Sequence, residues 1–121
     1  CIRDRLVTDW SGIAYEYAFT TKKPVLFVDT PMKVMNPEYQ KIDTVPINIW
    51  MRDVIGDRLD PTKTEETESK VRNLLEQKDA YHDRIEKFVE EYVYNLGNSA
   101  EIGAKYIVQA VQEQIKKAKE Q

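Results

Sequence analysis

The chain has 121 residues, 41% of them apolar and 32% charged, with a formal net charge of −3. That suits one compact soluble domain with a real core, and the acidic balance with scattered basic residues speaks against a nucleic-acid binder. A single cysteine, Cys1, excludes an internal disulfide and a cysteine-based metal site, and no apolar run approaches the ~20 residues of a membrane span.

The first residue is not Met and a strand-like run follows almost at once, so the chain reads as an excerpt of a longer protein. The excerpt is expected to form a single domain over 1–121, with a βαβ core over about 5–61 and a helical part over about 63–119. Arg5–Thr8 reads as a short strand leading into Asp9. Ser11 to about Thr20 reads as a helix, because Ile13 and Tyr17, and Ala14 and Ala18, recur at helical spacing. Lys22-Lys23-Pro24 ends it. Val25-Leu26-Phe27-Val28 runs without polar interruption, as a parallel strand covered on both faces would. Strand, helix and strand make a βαβ unit, whose crossover is right-handed.

Residues 29–44 carry two prolines and no period, which predicts a long loop at the end of the second strand. Val45–Trp50 is expected to be a further strand, with Pro46 near its start. Gly56–Asp60 reads as a short strand ending at Asp60-Pro61. The remainder is helical, over 63–77 and 79–93. Asn98 or Ser99 then caps a last helix, with Glu101 at the capping-box position. Gly103, Ile107, Ala110, Val111, Ile115 and Ala118 share one face of it. Lys116, Lys117 and Lys119 complement its dipole. The fold class is α/β: a partial Rossmann-like unit with a short parallel sheet and a helix-rich C-terminal half.

The stretch LVTDWSGIAYEYA, residues 6–18, joins the first strand to the first helix through its smallest polar residues. Ligands of open α/β sheets sit beyond the carboxyl ends of the strands. A helix start there offers unsatisfied N–H groups and partial positive charge to a phosphate. Thr8, Asp9, Ser11 and Gly12 therefore form a candidate diphosphate site. The Ser11 hydroxyl can donate to a phosphate oxygen, and Gly12 lets the backbone approach. Glu16, about one turn further on, can accept hydrogen bonds from a ribose. A capped helix start accounts for the same residues. Both hold at once if the cap is released to a ligand.

TDWSGIAYEYAF followed by KPVLFVD resembles the C-terminal nucleotide-binding half of the CDP-glycerol glycerophosphotransferases, teichoic-acid-type polymerases of GT-B architecture. Their stretch typically reads T-D-Y-S-S, then an apolar helix, then a strand opened by proline. Trp10 stands here for the Tyr, and Gly12 for the second Ser. The same stretch is also similar to the T-D-S-G-G-I-Q-E-E run of the UDP-N-acetylglucosamine 2-epimerases. GDRLDP resembles a segment that closes many GT-B nucleotide domains.

The first resemblance implies a nucleotide-activated donor such as CDP-glycerol, gripped by the residues above. The acceptor is then a polymer or lipid-linked hydroxyl reached through a half that this chain lacks. It implies no cofactor and no metal, catalytic residues elsewhere, and no activity of this chain alone. The whole transferase would work in the cytoplasm, peripherally at the inner membrane face, with the C-terminal lysines helping weakly. The second resemblance leaves open a UDP-sugar glycosyltransferase or epimerase. A capped turn without a ligand leaves a non-catalytic α/β interaction module.

Other residues are weighed on their own chemistry. Asp29-Thr30 ends the second strand at the same edge and faces a ligand or makes a turn. Met32, Met35 and Tyr39 form a lid or a private apolar cluster. Asp53, Asp57 and Asp60 lack the spacing of a calcium loop and read as a solvated turn. His82 reads as a solvated helix position. Trp10 is expected to be partly buried, or else exposed as a stacking surface.

Overall fold

The computed structural model describes residues 5–32, 34 and 36–119; Cys1 and Met35 lie outside the described residues. The chain divides into two compact units, residues 1–89 and 90–121. In the first, strand β1 (Leu6–Thr8) leads to helix α1 (Ile13–Thr21) and strand β2 (Val25–Val28). The loop after β2 carries a 3₁₀ turn at Tyr39–Lys41. Two single-turn helices, α2 (Ile47–Trp50) and α3 (Arg52–Ile55), deliver strand β3 (Gly56–Leu59). A second 3₁₀ turn, Thr64–Glu66, precedes α4 (Thr67–Glu76) and α5 (Lys78–Tyr92). Helix α6 (Ser99–Lys119) belongs to the second unit.

The three strands pair in parallel in the order β1-β2-β3, with Leu6 opposite Val25 and Val25 opposite Gly56. The fold is therefore α/β, with a short parallel sheet and a helix-rich remainder. Val25, Leu26 and Phe27 are fully buried, as a central parallel strand with both faces covered requires. Helix α1 turns its small residues Ala14 and Ala18 inward, and both are fully buried. It ends at Lys22, whose left-handed backbone (φ 55°) lets its N–H reach the Ala18 carbonyl at 2.9 Å.

Gly56 fixes the approach of β3 to β2. A Cβ there would lie 1.9 Å from the Val25 carbonyl oxygen, closer than any side chain permits. Helix α5 closes the core with Tyr81, Ile85, Phe88 and Val89, a stripe at helical spacing. The Phe88 ring stacks on Phe19 at 5.8 Å between centroids and meets Trp50 edge-on at 5.6 Å. The Tyr81 hydroxyl donates to the Gly56 carbonyl at 3.3 Å.

The strand expected over Val45–Trp50 does not form; residues 47–50 are helical. Its six residues are too few for periodicity to separate a strand from a helical turn. Pro46, extended at ψ 137°, starts the turn, and the Ile49 N–H bonds back to the Pro46 carbonyl at 3.0 Å. In the second unit, Glu101 does not close a capping box. Its carboxylate pairs forward with Lys105 at 2.7 Å, one helical turn on. The chain enters α6 through Asn95 (φ 57°) and Gly97 (φ 82°), both left-handed. No side chain of α6 is buried among the described residues.

Candidate functional site

Because the strands are parallel, their carboxyl ends share one edge, where Asp9–Gly12, Asp29-Thr30 and Asp60-Pro61 leave the sheet. Thr8 is the last residue of β1, paired across from Phe27. Asp9 and Gly12 are exposed, and Ser11 is half-buried. The Ser11 hydroxyl accepts from the Ile13 N–H at 3.4 Å, the long limit of a hydrogen bond. The cap is thus made, but loosely. An added Cβ at Gly12 would meet nothing within 4 Å, so open space lies over the first turn of α1. The Gly12 backbone is ordinary (φ −61°, ψ −25°), so conformation alone does not demand glycine. Glu16 lies in that first turn, exposed, and its carboxylate has no ion-pair partner among the described residues.

Trp10 adopts both expected states. It is half-buried, its indole N–H donates to the Thr30 carbonyl at 2.7 Å, and one side of the ring packs on the Arg52 guanidinium, 3.8 Å from the centroid. It also lines a cleft of about 370 Å³ with Met32, Val34, Tyr39, Asn48 and Ile49. Met32 and Tyr39 of the expected lid do face this cleft. The Phe27 ring lies 4.8 Å from the same guanidinium, and Arg52 donates to an Asp29 carboxylate oxygen at 3.0 Å. Asp29 is therefore more than a turn former: it is the counter-ion of a fully buried arginine. Nearby, Tyr15 donates from its hydroxyl to the Asn48 carbonyl at 2.9 Å. Burial raises the Tyr15 pKa, and the Arg52 charge pulls it partly back.

The three aspartates weighed as a cluster act separately. Asp53 pairs with Arg58 at 2.6 Å, and Asp57 with Lys70 at 3.0 Å. Asp60 accepts from the Thr62 hydroxyl and N–H at 2.7 and 2.9 Å, and those bonds hold its pKa below the usual carboxylate value. No group of three metal-ligating side chains occurs among the described residues. His82 sits at the other end of the sheet. It lines a cleft with Arg5, Lys22 and Pro24, and its ring is half exposed. No helix of the described residues is long and apolar enough to cross a membrane.

Sequence reasoning located the junction and missed Arg52. The residue lies in IWMRDVIG, where nothing in the pattern distinguishes it from a solvated arginine. Only the convergence of Trp10, Phe27 and Asp29 from other segments buries it.

The sequence profile of the CDP-glycerol:poly(glycerophosphate) glycerophosphotransferases matches residues 1–111, nearly the whole chain. The chain belongs to that family. Neither a curated protein nor a solved structure matches it. Membership in the glycerophosphotransferases makes this a transferase chain of the teichoic-acid type, and it implies a CDP-glycerol-like donor and a polymeric acceptor. Within this glycerophosphotransferase chain, the loosely capped start of α1 combines open space, a weakly held hydroxyl and partial positive charge at the carboxyl edge of the sheet.

Proposed function

We propose that this chain is the donor-binding, C-terminal part of a larger GT-B-like glycerophosphotransferase, and that the diphosphate of CDP-glycerol lies at the start of α1. The open space over Gly12 is the observation that carries this reading. The Ser11 hydroxyl and the first-turn N–H groups face the phosphate oxygens, Thr8 and Asp9 shape the mouth, and Glu16 accepts from the ribose hydroxyls. In the reaction, an acceptor hydroxyl attacks the glycerol-bearing phosphorus. A new P–O bond forms, the P–O–P bridge breaks and CMP leaves. The base that takes the acceptor proton, and the acceptor itself, belong to the other half of the transferase. The whole protein works on the cytoplasmic side, peripherally at the membrane.

The test is an amide NMR titration of the chain with CDP and with UDP. Saturable shifts of the Ser11, Gly12 and Ile13 amides are expected, stronger with CDP. A folded sample, and then the longer transferase, that both stay silent to millimolar nucleotide would overturn the assignment and leave a capped turn.

A further inference from the structure

The largest fully buried side chain among the described residues carries a charge. Arg52 has no exposed surface, and it is the only polar or charged residue among the buried ones described. A buried guanidinium is stable when its five N–H donors are used and its charge is balanced. Neither condition is met here. One nitrogen, Nη1, donates to Asp29, while Nε and Nη2 are buried without a hydrogen-bond partner among the described residues. The Asp29 side chain is 40% exposed, so water screens the only carboxylate paired with Arg52 among the described residues. The rings of Trp10 and Phe27 solvate the guanidinium with their π clouds but bring no negative charge.

The position of this charge is as informative as its shortage of partners. Trp10, which stacks on it, is the residue immediately before Ser11. Tyr15, whose ionisation responds to the Arg52 charge, lies in the first turn of α1. The field of Arg52 is therefore felt at the entrance to the turn where the diphosphate is placed, since the Trp10 ring centroid lies 3.8 Å from its guanidinium and Trp10 leads directly into Ser11. That field has the same sign as the helix N-terminus.

We propose that Arg52 is the positioning charge of the donor site: buried beneath Trp10, it strengthens anion binding at Ser11-Gly12 without touching the ligand, and the bound anion supplies the negative charge it lacks. This rests on the donor-site reading above. It predicts that affinity for a small dianion depends on a residue with no solvent contact. It also predicts that the exposed partner, Asp29, works against the ligand.

The experiment compares pyrophosphate and CDP affinity of the chain with that of three variants, beside their thermal melts. Arg52→Met keeps the volume between Trp10 and Phe27 and removes the charge. It should fold, because apolar replacement of a buried ion is often neutral or stabilising. It should bind pyrophosphate at least about tenfold more weakly. Arg52→Lys should recover part of that loss. Asp29→Asn, at an exposed site, should tighten binding two- to threefold, and it tests the idea even if Arg52→Met does not fold. A folded Arg52→Met that binds as the wild type does, or an Asp29→Asn that binds no tighter, overturns the proposal and leaves the donor site standing. If the wild-type chain and then the longer transferase both ignore pyrophosphate and CDP, the donor-site reading fails and takes this one with it.

Discussion

Gly12 and Gly56 stand at opposite ends of the same small sheet, and the absence of a side chain serves a different purpose at each. At Gly56 a Cβ would collide with the Val25 carbonyl at 1.9 Å, so the missing side chain is consumed by packing β3 against β2. At Gly12 the same atom would meet nothing within 4 Å. The fold makes no use of that second vacancy, and a ligand can. A glycine in a strand–helix turn is therefore informative only once its surroundings are known.

The sharpest way to break the comparison is Gly56→Ala. The clash is with backbone, which cannot rotate aside, so overpacking should cost about 3 kcal/mol or more. We expect loss of the cooperative melt followed by circular dichroism. Ile85→Ala, at the fully buried centre of the α5 stripe, should cost about 2–5 kcal/mol, while Ile107→Ala, at a residue of α6 that is 64% exposed, should stay within about 0.5 kcal/mol. Denaturant midpoints separate the two. If both cost the same, α6 is packed in solution in a way the chain does not show. Gly12→Leu should change stability by no more than about 0.5 kcal/mol yet abolish the CDP response of the neighbouring amides. A variant that still binds would remove the meaning given to the open space.

The smallest effect concerns Asp60. Its pKa is lowered by the Thr62 hydroxyl first and the Thr62 N–H second. A depressed carboxylate contributes stability above its unfolded pKa and loses it as pH falls through the folded value. Thr62→Val removes the hydroxyl. The Asp60 pKa should then rise toward the ordinary carboxylate range in an NMR titration, and the acid limb of the stability profile should flatten slightly.

Much of this was legible in the sequence where the signal is local. The unbroken run Val25–Val28, the small inward pair Ala14 and Ala18, and the α5 stripe follow from periods that a few residues specify. Ile47–Trp50 was misread because four apolar and amide residues fit either period. Its helical turn is settled by Pro46 before it and by the need to deliver Gly56 against Val25. The strand-to-helix turn was legible because a strand that stops at Thr8-Asp9 must hand over somewhere, and Ser11-Gly12 leaves room. Arg52 was not legible, because its burial is a property of two other segments. A single arginine among apolar neighbours carries no period, and its partners Trp10, Phe27 and Asp29 lie far away in the chain.

The placement of the two tryptophans gives the molecule a pair of built-in optical reporters. Trp10 holds its indole N–H on the Thr30 carbonyl and its ring on a guanidinium, beside the turn that opens α1. Trp50, itself partly exposed, lies edge-on to Phe88 at the margin of the core that α5 closes. Indole emission follows the charge and polarity around the ring. An anion at the proposed Ser11 site would act on one emitter, and loosening of the core acts on the other. With each tryptophan replaced in turn by phenylalanine, one cuvette separates occupancy from unfolding without any label.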